Sequence, residues 1–542
     1  MQLIFSYLPI FVLIGLMTKR NSMPSSQALP LSALFTYLIA LVVFGRDPNA
    51  VHASVLAGLL VAWTPLLIIA GAIFLFRTME ATGSILTIRH WLNSISENAI
   101  AQLMIVGWAF QFLIEGASGF GTPAALAAPV LVGLGFPALR VAILCLVLDT
   151  VPVTFGAVGA PTWFGFSALD LSSAELSQVG LTSAIINAIV AVAVVFSGLY
   201  FVVQPKALIQ NAGFILLSIL SCVLPYVVIA RFSYEFPALL GGFIGLVGTI
   251  VLARLGVGLS SEPIALHEAQ AEAAGAGEAP VKVSAAALVK ASFPLWGAVL
   301  LLIITRVPQL GIKPLLLLRE PAWSLELGSL GVVSVSPSLV VSLQGIFGTP
   351  QSWSHSLLYV PSIIPFVVIS LLTLLIFRSR SLKVVAGQTI EQMRNPTLAL
   401  LGALVFVNLM MMGDDSAVSR IGNNLAEVTG ENWQYVAVFL GALGSFFAGS
   451  ATISNLTFGG IQDSIAVGLS LDRTTILALQ SVGAALGNMV CINNIVAVAS
   501  VLALGNSEGY ILKRTVIALL ISCVVASVAA GLASYLAALW LA

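Results

Sequence analysis

Charge is what this sequence has least of. Only 8% of its 542 residues are Asp, Glu, Lys or Arg, whereas a soluble domain carries about 25%. The 22 basic and 22 acidic residues cancel, so no basic surface is available to attract nucleic acid. Because 59% of the residues are hydrophobic, the composition predicts a polytopic protein embedded in the lipid bilayer.

The sequence also lacks the residue patterns of several kinds of chemistry. Its four cysteines lie in apolar stretches without paired spacing, which argues against a disulfide framework and a zinc site. There is no glycine-rich phosphate loop followed by lysine, so direct use of ATP is not expected. We find no nucleophile triad and no cluster of metal ligands. The sequence therefore predicts no cofactor, no metal site and no enzyme activity.

Apolar stretches long enough to span a bilayer recur along the whole chain. Two of them, 98–134 and 432–468, are too long for one span and are interrupted by glycine and hydroxyl residues. If each is a re-entrant hairpin, most of the 22 lysine and arginine residues fall on the cytoplasmic side. The prediction is an all-α inner-membrane protein with about twelve transmembrane helices, two re-entrant hairpins and both termini in the periplasm. The predicted spans lie near residues 3–18, 28–44, 54–76, 138–160, 178–203, 208–230, 236–254, 290–306, 356–377, 396–413, 475–504 and 515–540.

The two interrupted segments resemble each other. An offset of 333 residues aligns Gly116 with Gly449 and Arg140 with Arg473. Each segment follows a polar amphipathic stretch and precedes a helix with a polar break, "DTVPVTFGAVGAPT" in one case and "GNMVCINN" in the other. This order predicts two inverted repeats, as in many secondary transporters. Their predicted bounds are 1–204 (hairpin 98–134, broken helix 138–160) and 289–542 (hairpin 432–468, broken helix 475–504), joined by linking spans and a cytoplasmic loop at 205–288.

The centre of each interrupted segment predicts a binding site. Broken backbone at mid-membrane is tolerated only around a water-filled cavity or a ligand. Helix N-termini attract anions, and glycine lets a ligand approach the backbone, so a small carboxylate is the predicted ligand. Close helix packing is the alternative explanation for the glycines. The predicted binding residues are Gly116, Ser118, Gly119, Gly121, Thr122, Ser450, Thr452, Ser454, Asn455, Asn488 and Asn493, the last two being donors to a substrate hydroxyl.

Carboxylates inside the membrane are costly and are functional by default. Asp149, in the first broken helix, is our first choice for coupling transport to a proton, and Glu115 is its substitute. Asp414 and Asp415 end a predicted span near the outer boundary, where a solvated role competes with proton coupling. Sodium is the competing cation, since carbonyl, Asn and Thr oxygens near Asp149 could ligate it.

The stretch "EGASGFGTPAALAAPVLVGLGF", followed by "LCLVLDTVPVTFGAVGAP", resembles the lactate permease family of proton-coupled lactate and glycolate carriers. The resemblance covers essentially the whole chain and implies import of a small monocarboxylate. The second half departs from the family pattern. Ala451 stands where the family typically has an aspartate, and Asn488 where it often has a lysine, while Asp149 stands where close relatives often have asparagine.

Two other classes of function remain as alternatives, an uncoupled anion channel and, with less support, an intramembrane enzyme. The oligomeric state is left open. So is the role of the outer segment 307–354.

Overall fold

The structure is a computed structural model. It describes residues 2–18, 23, 25–96, 98–119, 122–260, 264, 266, 283–306, 310–360, 362–413, 415–491, 494–495, 498–499, 502, 504 and 507–541. The chain forms two compact units, each built from two separate stretches of sequence. The first unit comprises Met1–Ile88 and Ser284–Ile421, and the second comprises Arg89–Val283 and Gly422–Ala542. These units differ from the predicted halves, and the inverted repeat stays a prediction.

The first unit consists mainly of apolar helices. Glycine lets two of their pairs pack backbone to backbone: a Cβ added at Gly402 would lie 2.3 Å from the Pro30 nitrogen, and one at Gly58 would lie 2.8 Å from the Val405 Cα. The helices are Gln2–Thr18, Ser25–Val42, Pro48–Val61, Trp63–Ala81, Ala285–Arg306, Ile312–Leu316, Ile363–Val368, Ile369–Ile376 and Leu382–Met410. Two further helices, Ser84–Asn93 and Ala417–Thr429, coincide in part with the predicted amphipathic stretches and run across the boundary between the units.

A four-stranded antiparallel sheet interrupts the first unit. Its strands are β1 (Trp323–Glu326), β2 (Val332–Val335), β3 (Val340–Gln344) and β4 (Ser352–Ser356), paired in the order 1-2-3-4. Val333 pairs with Leu343 and Leu343 with Trp353, and this row packs on helix Pro48–Val61. The all-α prediction is therefore wrong in the outer segment 307–354, and the chain is predominantly helical. The physical reason is the alternation in "VVSVSPSLVVSL", which gives a strand one apolar face.

The second unit contains both interrupted segments. A continuous helix ends at Ser118, a second helix starts at Thr122, and Gly119 between them has φ +64°. Helix Trp433–Ala448 ends at Gly449, with φ +71°, before helix Ala451–Gly468. Both positions lie in the left-handed region that glycine tolerates. Helix, break and helix thus occur in both segments at the predicted places.

The predicted polar breaks are also present. Helix Ala138–Leu148 is followed by the turns Val151–Phe155 and Gly156–Trp163, with a bend of 43° between the two parts. Helix Arg473–Gly487 is capped by the Asp472 carboxylate and continues into the 3₁₀ turn Asn488–Val490. The remaining helices of this unit are Ala99–Gln102, Leu103–Phe110, Gln111–Ser118, Thr122–Gly133, Ser173–Tyr200, Pro205–Gln210, Ala212–Ala230, Pro237–Leu255, Gly430–Asn432 and Glu508–Leu541.

Six of the described helices are long and apolar enough to cross a membrane, and the bent pair makes a seventh candidate. The six are Ala99–Ala117, Ser173–Tyr200, Ala212–Ala230, Pro237–Leu255, Leu382–Met410 and Gly509–Ala533. These helices support a multi-pass membrane protein. The count of twelve spans, the re-entrant path of the hairpins and the periplasmic termini stay predictions.

Candidate functional site

A small cavity lies within the second unit where both helix breaks meet. Its volume is about 20 Å³, room for about one water molecule. Both interrupted segments and both broken helices contribute to its wall, so four elements that the sequence indicated separately converge on one place. The lining residues are Glu115, Gly119, Val153, Gly156, Ala157, Pro161, Gly449, Ser450, Ala451, Thr452 and Asn488.

Glu115 is the ionisable side chain among these lining residues. It is only 2% exposed, and no described residue donates a hydrogen bond to its Oε2. Its Oε1 lies against the backbone of Gly156, where an added Cβ would be only 2.2 Å from that oxygen. Gly156 therefore makes room for the Glu115 carboxyl at the cavity wall.

The first broken helix carries backbone strain at this wall. Ala157, Val158 and Gly159 are three successive residues with φ of 45°, 58° and 74°. A non-glycine residue in this region costs about 1–3 kcal/mol, and a β-branched residue is a clear outlier there. The Trp163 indole donates to the Val158 carbonyl at 3.0 Å, and the Thr162 hydroxyl donates to the Thr154 carbonyl at 2.8 Å. These two bonds hold the strained turn in place.

The second tip brings a helix N-terminus to the cavity. Helix Ala451–Gly468 begins after Ser450, whose side chain makes no capping hydrogen bond. Its first-turn N–H groups and helix dipole therefore favour an anion. Asn488 faces the same cavity: its Oδ1 accepts from Asn494 at 2.7 Å, and no described residue accepts from its Nδ2. The Thr452 hydroxyl completes a set of neutral donors.

The predicted binding residues divide into three groups. Gly119, Ser450, Thr452 and Asn488 come together at the cavity. Gly116 does not line it, since an added Cβ there would lie 2.3 Å from the Leu239 nitrogen, which is the packing role given above as the alternative. Gly121, Asn493 and the side chains of Ser118 and Thr122 lie outside the described residues. A role in binding stays a prediction for all of them.

Ser454 and Asn455 also lie outside the cavity lining and bond to other parts of the protein. The Ser454 hydroxyl donates to the Gly441 carbonyl at 2.7 Å, and Asn455 Nδ2 donates to the Pro161 carbonyl at 2.9 Å. Gln480 Nε2 contacts Ser454 Oγ at 3.2 Å and Asn455 Oδ1 at 3.3 Å. Gln480 was not among the predicted residues, although a lone glutamine in an apolar helix is itself a signal of function.

Asp149 is buried and does not line the cavity. It is 1% exposed, and its Oδ1 accepts no hydrogen bond from a described residue. The Gln111 side chain donates to the Cys145 carbonyl at 3.1 Å. Glu115 and Asp149 each follow one of these residues by four positions, about one helical turn. The protein thus holds two buried carboxyls near each other.

Asp415, predicted with lesser weight as a third proton site, has a different environment. Arg420 Nε donates to its Oδ1 at 2.8 Å, Arg46 donates to its backbone carbonyl, and its side chain is 66% exposed. The hydrogen bond and charge of Arg420 hold the pKa of Asp415 below its usual value. An exposed carboxylate that stays ionised is poorly suited to carry a proton, and proton coupling at Asp415 stays a prediction. Asp414 lies outside the described residues.

A larger cavity of about 640 Å³ lies in the first unit. Its lining is almost wholly apolar, and its two polar side chains, Tyr37 and His52, hydrogen-bond to each other at 3.0 Å. It holds no carboxylate among its lining residues. It is a less suitable anion site than the smaller cavity.

Comparison with known proteins identifies the family of this chain. The family model described as L-lactate permease matches residues 2–537. A relative from Haemophilus influenzae, which carries a provisional L-lactate permease name, is 45% identical over 98% of both chains. The L-lactate permease of Bacillus subtilis is 24% identical over 91% of this chain and 90% of its own. The glycolate permease GlcA of Escherichia coli is 25% identical over 90% of this chain and 87% of its own.

Among solved structures, that of the Alcanivorax borkumensis YdaH transporter aligns over 98% of this chain and 97% of its own, at 14% identity. Its TM-score of 0.41 is too low to support an argument. The family match covers nearly the whole sequence. The relatives named above are permeases rather than enzymes. The chain belongs to the L-lactate permease family.

Proposed function

We propose that this protein is a secondary transporter of a small monocarboxylate, such as lactate or glycolate, and that it takes up one proton with the anion at Glu115. The observation that carries the proposal is the pairing of two features in one cavity: an uncapped helix N-terminus and a buried carboxyl. The names of the relatives supply the substrate class.

The proposed binding position of the anion is the start of helix Ala451–Gly468. First-turn N–H groups and the Thr452 hydroxyl would hold the substrate carboxylate, because they are donors that carry no opposing charge. The amide group of Asn488 would then donate to a hydroxyl on the neighbouring carbon. Gly119 and Ala157 close the other side of the cavity with atoms too small to crowd the substrate.

Glu115 makes this binding depend on protons. Two unit negative charges about 4 Å apart repel by about 4 kcal/mol at an effective dielectric constant of about 20. An ionised Glu115 would therefore oppose the substrate, whereas a protonated one is neutral and donates a hydrogen bond. We therefore propose Glu115, rather than Asp149, as the first proton carrier. Asp149 would act as a second carboxyl that exchanges the proton with Glu115.

The membrane potential explains why a cation is needed. An anion entering against a negative-inside potential costs about 2.3 kcal/mol for each 100 mV. Entry together with one proton is electrically neutral and avoids this cost. Sodium is the competing partner and an uncoupled anion channel is the other alternative.

The cavity is too small for a carboxylate, since its volume is near that of one water molecule, so it would have to open to admit the substrate. Transport then requires parts of the cavity wall to separate from each other on one side at a time. We propose the strained residues Ala157–Gly159 as the place where the backbone yields.

Uptake into proteoliposomes tests the proposal. Labelled lactate should accumulate under an inward proton gradient without sodium, and unlabelled lactate inside should accelerate its entry. The Glu115→Gln variant should keep this exchange but lose accumulation. Accumulation that follows a sodium gradient at constant pH would refute the proton assignment, and conduction without trans-stimulation would indicate a channel.

A further inference from the structure

Four hydrogen bonds form an unbroken chain through the second unit. The Trp433 indole donates to Gln462 Oε1 at 2.8 Å, and Gln462 Nε2 donates to Gln480 Oε1 at 3.0 Å. Gln480 Nε2 donates to Asn455 Oδ1 at 3.3 Å, and Asn455 Nδ2 donates to the Pro161 carbonyl at 2.9 Å. The chain begins at the start of helix Trp433–Ala448 and ends in the first broken helix.

Every donor in this chain points the same way, from Trp433 towards Pro161. Each amide accepts at its oxygen and donates at its nitrogen, so the bonds polarise one another. Gln462 and Gln480 are 0% exposed and Asn455 is 1% exposed, which leaves water no access to replace a lost partner. Breaking one link would leave a buried polar group unsatisfied.

The last link of the chain ends at the cavity wall. Pro161 itself lines the cavity, and Asn455 belongs to the same helix as the lining residues Ala451 and Thr452. The backbone at Pro161 has little freedom to take another partner, since a Cβ at Gly165 would lie 2.0 Å from its carbonyl oxygen. Asn455 thus joins the helix that would hold the anion to the helix that carries the strained turn.

We propose that Gln480 and Asn455 are positioning residues that make the second tip and the first broken helix move as one body when substrate binds. The inference rests on the proposed function, because it takes this cavity as the substrate site. Gln480 is not a lining residue of the cavity; it donates to Asn455, and Asn455 donates to the Pro161 carbonyl. Loss of the link should therefore slow the closing step more than it weakens binding.

The test compares Gln480→Leu and Asn455→Ala with Thr457→Val as the matched control. Thr457 lies on the same helix, is buried, and donates only to the Ile453 carbonyl within that helix. Lactate exchange gives the maximal rate, and lactate-induced thermal shift gives the dissociation constant. If Gln480→Leu does not fold, Gln480→Met replaces it, because methionine is close to glutamine in size and shape but lacks the amide donor.

We expect each chain variant to lower the maximal exchange rate about tenfold or more, the effect of an unsatisfied buried partner, with little change in lactate affinity. The double variant should be no slower than the slower single variant, since both break one chain. Thr457→Val should exchange at the wild-type rate.

Three results would overturn the inference. One is a Gln480→Leu protein that melts earlier but exchanges at the wild-type rate, which would mean a purely structural role. Another is a double variant whose loss is the product of the two single losses. The third is a wild-type protein that exchanges no carboxylate, which would remove the proposed function along with the inference.

Discussion

Gly156→Ala is the change that most specifically disturbs the Glu115 carboxyl. The added Cβ would lie 2.2 Å from Glu115 Oε1, whereas ordinary contact begins at 3.4 Å, so the oxygen must retreat by about 1.2 Å (3.4 − 2.2). The obstacle is the end of a flexible side chain rather than backbone, and Gly156 has φ −61°, which alanine adopts without strain. The protein should fold.

The displacement should impair coupled transport. A misplacement of about 1 Å at a reacting group costs about a hundredfold in rate, and we expect a loss of that order in proton-driven lactate accumulation. The control is Gly531→Ala, where an added Cβ meets nothing within 4 Å. Wild-type accumulation in a folded Gly156→Ala protein would show that the position of the Glu115 carboxyl does not matter to coupling.

Three further predictions follow from particular contacts. Gly116→Ala should destabilise the protein by about 1–3 kcal/mol in thermal unfolding, because its Cβ meets the Leu239 backbone; unchanged stability with lost lactate binding would instead make Gly116 a binding residue. Asp149→Asn should keep lactate exchange while weakening proton-driven accumulation, and a variant that concentrates lactate normally would exclude Asp149 from coupling. Burial lowers the pKa of His355, so the unfolded chain binds more protons than the folded one, and stability should fall as the pH drops below about 6.5; His355→Phe should remove this part of the slope in pH-dependent melting, and an identical slope in the variant would contradict it.

The sequence predicted the two interrupted segments well, for a physical reason. Glycine and hydroxyl residues are conspicuous against an apolar background, and each break costs hydrogen bonds that only a cavity or a partner can replace. Gly119 and Gly449 accordingly stand at the breaks of both segments. Polar residues in an apolar background likewise predicted the breaks around Gly156 and at Asn488.

The sheet and the hydrogen-bond chain could not be found in the same way. A hydropathy average over a long window hides the alternation of valine and serine in β2 and β3. Only the structure shows that these two segments pair as strands. Gln462 and Gln480 acquire their meaning from partners on other helices. Likewise, the position of Asp149 deep within a predicted span favoured it as the proton carrier. Only the packing shows that Glu115 faces the cavity.

The affinity for lactate as a function of pH tests the central claim most directly. If Glu115 must be protonated for the anion to bind, the dissociation constant of wild-type protein should rise with pH and approach about tenfold per unit, the limit for one linked proton. The Glu115→Gln variant should bind lactate with an affinity that does not change with pH. A wild-type affinity independent of pH, or a Glu115→Gln protein that retains the wild-type dependence, would contradict the account.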